Sequence, residues 1–352
     1  MSKSSKYIFY FLLFCIISYV FLPAYTALEN SVVQKLRTST SMSTPVPAID
    51  TSEQVKIQFV GDIMFARNVE NLMNQLGNKY PLSNLPQKND HTYLVGNFES
   101  AISKVHVPTP MQGFSFSTKS EYVTALKEYG FTHLGLANNH SYDFGKDDFL
   151  FTNTVLTEAG LSPFGDQLNQ SSSTIAYIPR TNDTVAVIGI YAVVEAPSDV
   201  VVQALISEAS KYSAVQIAFV HFGTEYKTTH SLFQEKLAHT LIDAGAEAVI
   251  GHHPHVIQDI EVYKNRPIFY SLGNFIFDQY FSDDVQKGLM VEMGEDDTHR
   301  IFSLLPVTSV QSRSAPRVMD TKEKEALLNS IALNSDAELS FMIKRGFVSV
   351  PK

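Results

Sequence analysis

With 352 residues, 44% of them hydrophobic and 18% charged, the chain has the makeup of a folded protein with a core large enough for one big α/β unit. A net charge of -9 excludes a nucleic-acid binder, which needs a basic face to neutralise phosphates. The same charge repels polyanions, so a phosphate or carboxylate substrate requires a metal ion or a local basic pocket.

Lys3 and Lys6 precede an apolar run from Tyr7 to Leu22, the pattern of a membrane anchor or a secretory signal. As a helix this run rises about 24 Å, short of the hydrocarbon core, but the uncharged residues Pro23 to Leu28 extend it. Residues 1–28 are therefore read as a single-pass N-terminal anchor, with a cleaved signal and a secreted product as the alternative. Lysines on the N-terminal flank place the remainder outside the cytoplasm. The lone cysteine, Cys15, lies in this run behind Leu13 and Phe14, which suits a buried hydrophobe better than a lipid-modified residue. Residues 29–54, dominated by Ser, Thr and Pro without apolar periodicity, form a linker.

The body from residue 55 alternates short apolar runs with amphipathic segments. Strands are expected at Val55–Val60, Tyr93–Gly96, His133–Ala137, Thr184–Tyr191, Val215–Val220, Ala248–Ile250, Ile257–Tyr263, Ile268–Leu272 and Gly288–Met293. Helices are expected at Ser120–Tyr129, with Ser120 as N-cap and Gly130 as stop, at Asp147–Ala159 before Gly160, at Val200–Tyr212, and at Leu232–Ala244 before Gly245. This alternation predicts an α/β architecture. Beyond Ser309 the strand signal fades, and Lys322–Asn334 is expected as a terminal helix in a C-terminal extension, 309–352.

Asp62, Glu99, Asn139, His140, His221 and the triplet His252, His253 and His255 all fall just past the end of an apolar run. Ligands of α/β sheets bind outside the carboxyl ends of the strands, so these distant segments can meet in one crevice. Taken singly, Gly61-Asp62 reads as a turn, Asn97 and Glu99 as a loop and helix cap, and His221 as a core histidine. Three histidines within four positions are hard to explain structurally, because buried imidazoles need partners. Oxygen and imidazole donors without usable thiolate suit a divalent cation such as Mn, Zn, Fe or Mg. A nucleophile elbow and a phosphate loop are both missing; Ser271 in YSLGNF lacks the glycine two positions earlier.

The segments VGDIMFAR (60–67), NFE (97–99), LANNHSYDFG (136–145), HFGTEY (221–226), LIDAGAEAVIGHHPHVIQ (241–258) and RPIFYSLGNFIFD (266–278) together resemble the bacterial capsule synthesis family of the CapA or PgsA type. The similarity spans about 55–308. It implies a calcineurin-like metallophosphoesterase sandwich, two central β-sheets flanked by helices, and a role in poly-γ-glutamate synthesis or export. It further implies one or two divalent metal ions held by Asp62, Glu99, Asn139, His221, His253 and His255. His140 would be the acid or phosphate-contacting group and Arg67 an anion clamp. Asn97, Asn138, His252 and Asn274 would line the substrate pocket. Two departures from the superfamily pattern stand out: Met64 replaces the histidine two residues after the first aspartate, and Glu99 replaces the bridging aspartate.

Three functional classes follow: a metal-dependent hydrolase of a phosphoester or polymer amide, a non-catalytic polymer-binding accessory subunit beside a membrane synthase, or a domain with a structural metal. The expected partners are the membrane, an anionic extracellular polymer and membrane synthase subunits, with no nucleic acid.

Overall fold

The computed structural model describes residues 55–88, 91–171 and 174–352; the expected anchor, 1–28, and linker, 29–54, lie outside them. No helix among the described residues is long and apolar enough to cross a membrane.

In the first half, β1 (Lys56–Ile63) leads to α1 (Arg67–Leu76), and β2 (Thr92–Phe98) to the short pair β3 (Ala101–Ile102) and β4 (Ser117–Thr118). α2 (Val123–Tyr129) precedes β5 (Phe131–Gly135), and α3 (Lys146–Glu158) precedes β6 (Ser162–Phe164). The second half begins with β7 (Ile175–Pro179), β8 (Thr184–Ala192) and α4 (Asp199–Ser210). It continues through β9 (Val215–Phe222), α5 (Leu232–Asp243) and β10 (Ala248–His252). β11 (Ile260–Tyr263), β12 (Arg266–Phe269), β13 (Asn274–Ile276), β14 (Lys287–Glu295), β15 (His299–Thr308) and β16 (Arg317–Val318) follow. α6 (Thr321–Asn334), α7 (Ser340–Lys344) and β17 (Phe347–Pro351) end the chain.

One sheet of nine strands runs β16-β15-β14-β1-β2-β5-β6, with β13 beside β1 and β17 beside β15. Its β1, β2, β5 and β6 are parallel, whereas β14 and β15 run antiparallel. The second sheet, β11-β12-β10-β9-β8-β7, is parallel through its centre with antiparallel strands at both edges. Alternation along the strands shows why the sheets stack. Ile57, Phe59, Val291 and Met293 of the first sheet and Val185, Val187, Ile217 and Phe219 of the second share one core between the sheets. The rings of Phe59 and Phe219 meet there, 6.5 Å apart.

The intervening residues face outward onto helices, so both faces of each sheet are apolar, as parallel strands require. Val60, Val69, Met73, Leu126 and Leu156 bury one outer layer; Ile188, Val202, Leu205, Leu237 and Leu241 bury the other. The result is a four-layer α/β/β/α sandwich, the architecture that the resemblance implies.

Helix ends follow local chemistry. Ser231 and Gln234 form a capping box at α5, and Asp320 and Glu323 form one at α6. At α2 the expectation fails in detail: Ser120 begins a 3-10 turn (Ser120–Tyr122), and no side chain caps the helix at Tyr122. The terminal helix falls at α6 as expected, and its Leu328 and Ile331 enter the inter-sheet core. β17 pairs with β15 over Phe347–Pro351, a strand that the sequence reading missed.

One passage ties the sheets together. Between β12 and β13 the chain leaves the second sheet for the first, crossing the ends of two strands as it goes. Asp62 N–H donates to Gly273 O at 3.0 Å, and Leu272 N–H donates to Gly251 O at 3.0 Å. Such close approach requires glycine: a Cβ on Gly61 would stand 1.9 Å from Gly273 O, and one on Gly251 would stand 2.1 Å from Tyr270 O. Gly61→Ala is therefore expected to cost about 3 kcal/mol in denaturant unfolding, as overpacking does. Gly294→Ala is the control, since nothing lies within 4 Å of the added methyl. Equal stability of the two variants would refute the close-approach account.

Candidate metal centre

The crossover sets the carboxyl ends of both sheets against each other, and the chemistry-bearing residues sit there. β1 delivers Asp62, in register with Asn97 on β2 and Asn274 on β13. Glu99 follows β2, and Asn138, Asn139 and His140 lie in the loop after β5. The second sheet contributes His221 on β9, in register with His252 on β10, and the turn beyond carries His253 and His255.

Asp62 and Glu99 are both 0% exposed. Asn97 bridges them: its Nδ2 donates to Asp62 Oδ1 at 2.8 Å and lies 3.3 Å from Glu99 Oε2. Asn97 Oδ1 in turn accepts from Asn138 Nδ2 at 3.1 Å. His255 Nδ1 stands 3.1 Å from Asp62 Oδ2 and 3.0 Å from Asn274 Oδ1, while its Nε2 is 3.6 Å from Glu99 Oε1. His252 Nδ1 approaches Asp62 Oδ1 at 3.3 Å, and His221 Nε2 meets Asn139 Oδ1 at 2.7 Å. The His253 ring lies 4.9 Å from that of His221.

His140 completes the rim. Its Nδ1 is 2.9 Å from Asp143 Oδ2, its ring stacks on Phe116 at 4.0 Å, and its Nε2 is 3.8 Å from Glu99 Oε1. A carboxylate on Nδ1 fixes the ring and turns Nε2 toward the cluster.

Burial alone would push both carboxyl pKa values up. At Asp62 the hydrogen bonds and charge of His252 and His255 prevail and hold it well below the usual range. At Glu99 burial prevails over the His255 charge, Asp62 adds to it, and the carboxyl sits well above its ordinary value. Burial drives His221 well down and His253 down to about 4, whereas Glu99 and Asp62 overcome burial at His255 and lift it to about 9.

The donor set fits a cation. Glu99 Oε1, Nε2 of His252 and Nδ1 of His253 are buried without a hydrogen-bond partner, a cost of about 1–3 kcal/mol for each atom left bare. Asp62, Glu99 and His221 offer ligand atoms all within 4.8 Å of one another, and so do Glu225, His253 and His255. Oxygen and imidazole ligands match Mn, Zn, Fe or Mg.

Arg67, the implied anion clamp, is paired through Nη2 with Asp278, while its Nε has no hydrogen-bond partner. Asp278 also accepts from Asn68 N–H at 3.0 Å, and the guanidinium lies over the Phe116 ring at 4.7 Å. Asp278, Asp143, Glu225 and Phe116 were not singled out from the sequence. Asp143, three residues after His140, and Glu225, four after His221, lie in segments that carry the family resemblance, and their spacing from those histidines is the signal that marks them.

The profile described as bacterial capsule synthesis protein PGA_cap matches residues 56–279. The chain belongs to that family. Among curated members, the capsule biosynthesis protein CapA of Bacillus anthracis is 32% identical over 302 residues, covering 80% of this chain and 73% of its own. The PGA biosynthesis protein CapA of Bacillus subtilis (strain 168) is 29% identical over 327 residues, 86% of this chain and 84% of its own. Among solved structures, a hypothetical protein from Thermus thermophilus aligns with 75% of this chain and 98% of its own at 13% identity and a TM-score of 0.42. The PGA_cap profile runs from the first residue of β1 to just past Asp278, so it takes in every ligand candidate named above.

The Arg67–Asp278 pair is nearly dry, with side chains 11% and 1% exposed. Asp278→Asn leaves the guanidinium buried without its counter-charge and is expected to cost about 3–5 kcal/mol in thermal or denaturant unfolding. A loss below about 1 kcal/mol, the range of exposed pairs, would show that the pair is not structural.

Proposed function

We propose that the chain serves the synthesis or export of an anionic capsular polymer, specifically poly-γ-glutamate, through a divalent-cation centre between its two sheets. One observation carries the reading: Asp62, Glu99, His221 and His255 converge from both sheets, and Glu99 Oε1 is left buried without a hydrogen-bond partner. Asp62, Glu99, Asn139, His221, His253 and His255 would hold one or two ions of Mn, Zn, Fe or Mg. Asn97, Asn138 and Asn274 fix the ligands, and His252 packs on Phe219 behind Asp62. A bound cation would polarise an ester or amide oxygen and draw in the polymer's carboxylates, which the overall charge of -9 repels. In this reading the domain works outside the cytoplasm, tethered by residues 1–28 through the linker 29–54, beside membrane synthase subunits.

Whether the site turns substrate over rests on His140. With Nδ1 held by Asp143, its Nε2 is placed to give or take a proton at the reacting group. A second reading, a polymer-binding accessory subunit without turnover, is supported by the pairing of Arg67 Nη2 with Asp278, which leaves less of the guanidinium for a reacting anion.

Elemental analysis of the purified full-length chain is expected to find a divalent metal that His255→Ala loses. If the chain is a hydrolase, His140→Ala retains the metal while cleavage of a simple phosphodiester falls by about 10²–10⁴-fold. Polymer binding with no turnover by the metal-loaded chain would select the accessory reading. Failure to bind any divalent ion would remove both.

A further inference from the structure

We infer that Glu225 is a metal ligand, forming with His253 and His255 an outer cation position at the mouth of the crevice, distinct from an inner position at Asp62, Glu99 and His221. The inference rests on the cation-binding reading of the seam and adds a residue which that reading does not use.

Glu225 lies in the loop after β9, exposed to solvent, with a ligand oxygen within 4.8 Å of ligand nitrogens on His253 and His255. An exposed carboxylate alone signifies little, but the backbone around it is held in place. Tyr226 N–H donates to Pro254 O at 2.8 Å, which straps the Glu225 loop directly onto the histidine turn. That strap needs a positive φ of 64° at Tyr226, and the turn needs φ of 96° at His253 and 58° at His255. Positive φ is uncommon for non-glycine residues, and each sparsely populated conformation of this kind costs about 1–3 kcal/mol. Three such residues meeting at one carboxylate–imidazole group fit a set of ligands drawn into position.

A second sign is independent of the loop. His253 Nδ1 is buried without a hydrogen-bond partner, and His253 is 5% exposed. A buried, unpaired imidazole nitrogen beside a carboxylate is what a ligand leaves when its ion is taken away. The two positions differ in access, since the inner group is wholly buried and the outer one carries an exposed member. The outer ion should therefore exchange with the medium faster than the inner one.

Mn²⁺ titration of the full-length chain, followed by calorimetry and by the loss of the free-ion electron paramagnetic resonance signal, tests this. Wild type is expected to bind two equivalents. Glu225→Gln should keep one tight equivalent and weaken the other by at least about tenfold, the scale of losing even an outer partner of a ligand. Glu225→His, which restores a donor, should recover most of that loss. Asp62→Asn should weaken the tight equivalent instead. Two unchanged equivalents in Glu225→Gln would overturn the inference while leaving the metal centre standing, and so would a single wild-type equivalent insensitive to Glu225. No binding by wild type would overturn the centre itself.

Discussion

Two carboxylates without access to water dominate the chemistry of this molecule. Asp62 and Glu99 face each other across Asn97 at the end of the first sheet, where neither side chain can be solvated. Charge so placed is prohibitively costly unless it is paired, protonated or bound to a cation. The second sheet answers with imidazoles: His252 stands against Asp62, and His255 against both carboxylates. The asparagines take their places from the same need. Asn97, Asn138 and Asn274 bring neutral dipoles that hold carboxylate and imidazole without adding charge.

That arrangement exists only because two sheets end at one place. Stacking is driven by the alternation of Val, Ile and Phe, which buries one set of side chains between the sheets and the other beneath helices. Alignment of the sheet ends depends on something more local, the passage of 270–273 across Gly61 and Gly251. Each of these glycines immediately precedes a residue of the cluster, the candidate ligand Asp62 or its neighbour His252. The backbone contact that closes the sandwich is thus also the contact that positions the donors.

Much of this was legible beforehand. Strands buried on both faces announce themselves as unbroken apolar runs, and their ends were marked by Asp62, Asn97, His221 and His252, so the convergence of these residues followed from the general placement of sites in α/β sheets. What escaped notice was either amphipathic or remote. β15 and β17 alternate buried with half-exposed residues and β15 includes Pro306, which blurs the strand signal. α1, with the sequence RNVENLMNQL, is short and polar and buries little more than Val69 and Met73 among its apolar residues. The partner of Arg67 lies 211 residues away, and no local pattern discloses a pairing at that distance. Glu225 sat within a recognised segment, but its approach to the histidine turn is made by a main-chain hydrogen bond between Tyr226 and Pro254, which side-chain identities do not reveal.

The position of β1 bears on how the chain reaches its folded state. One neighbour, β2, is synthesised soon afterwards, but along its other edge β1 waits for β13 and β14, more than 200 residues downstream. Until those late strands arrive, a nascent chain carries an open hydrogen-bonding edge in the middle of its largest sheet, and such edges recruit strands from other molecules. Vectorial synthesis therefore leaves this protein in need of shielding until β14 has emerged, and premature termination before residue 287 would yield a species prone to aggregate.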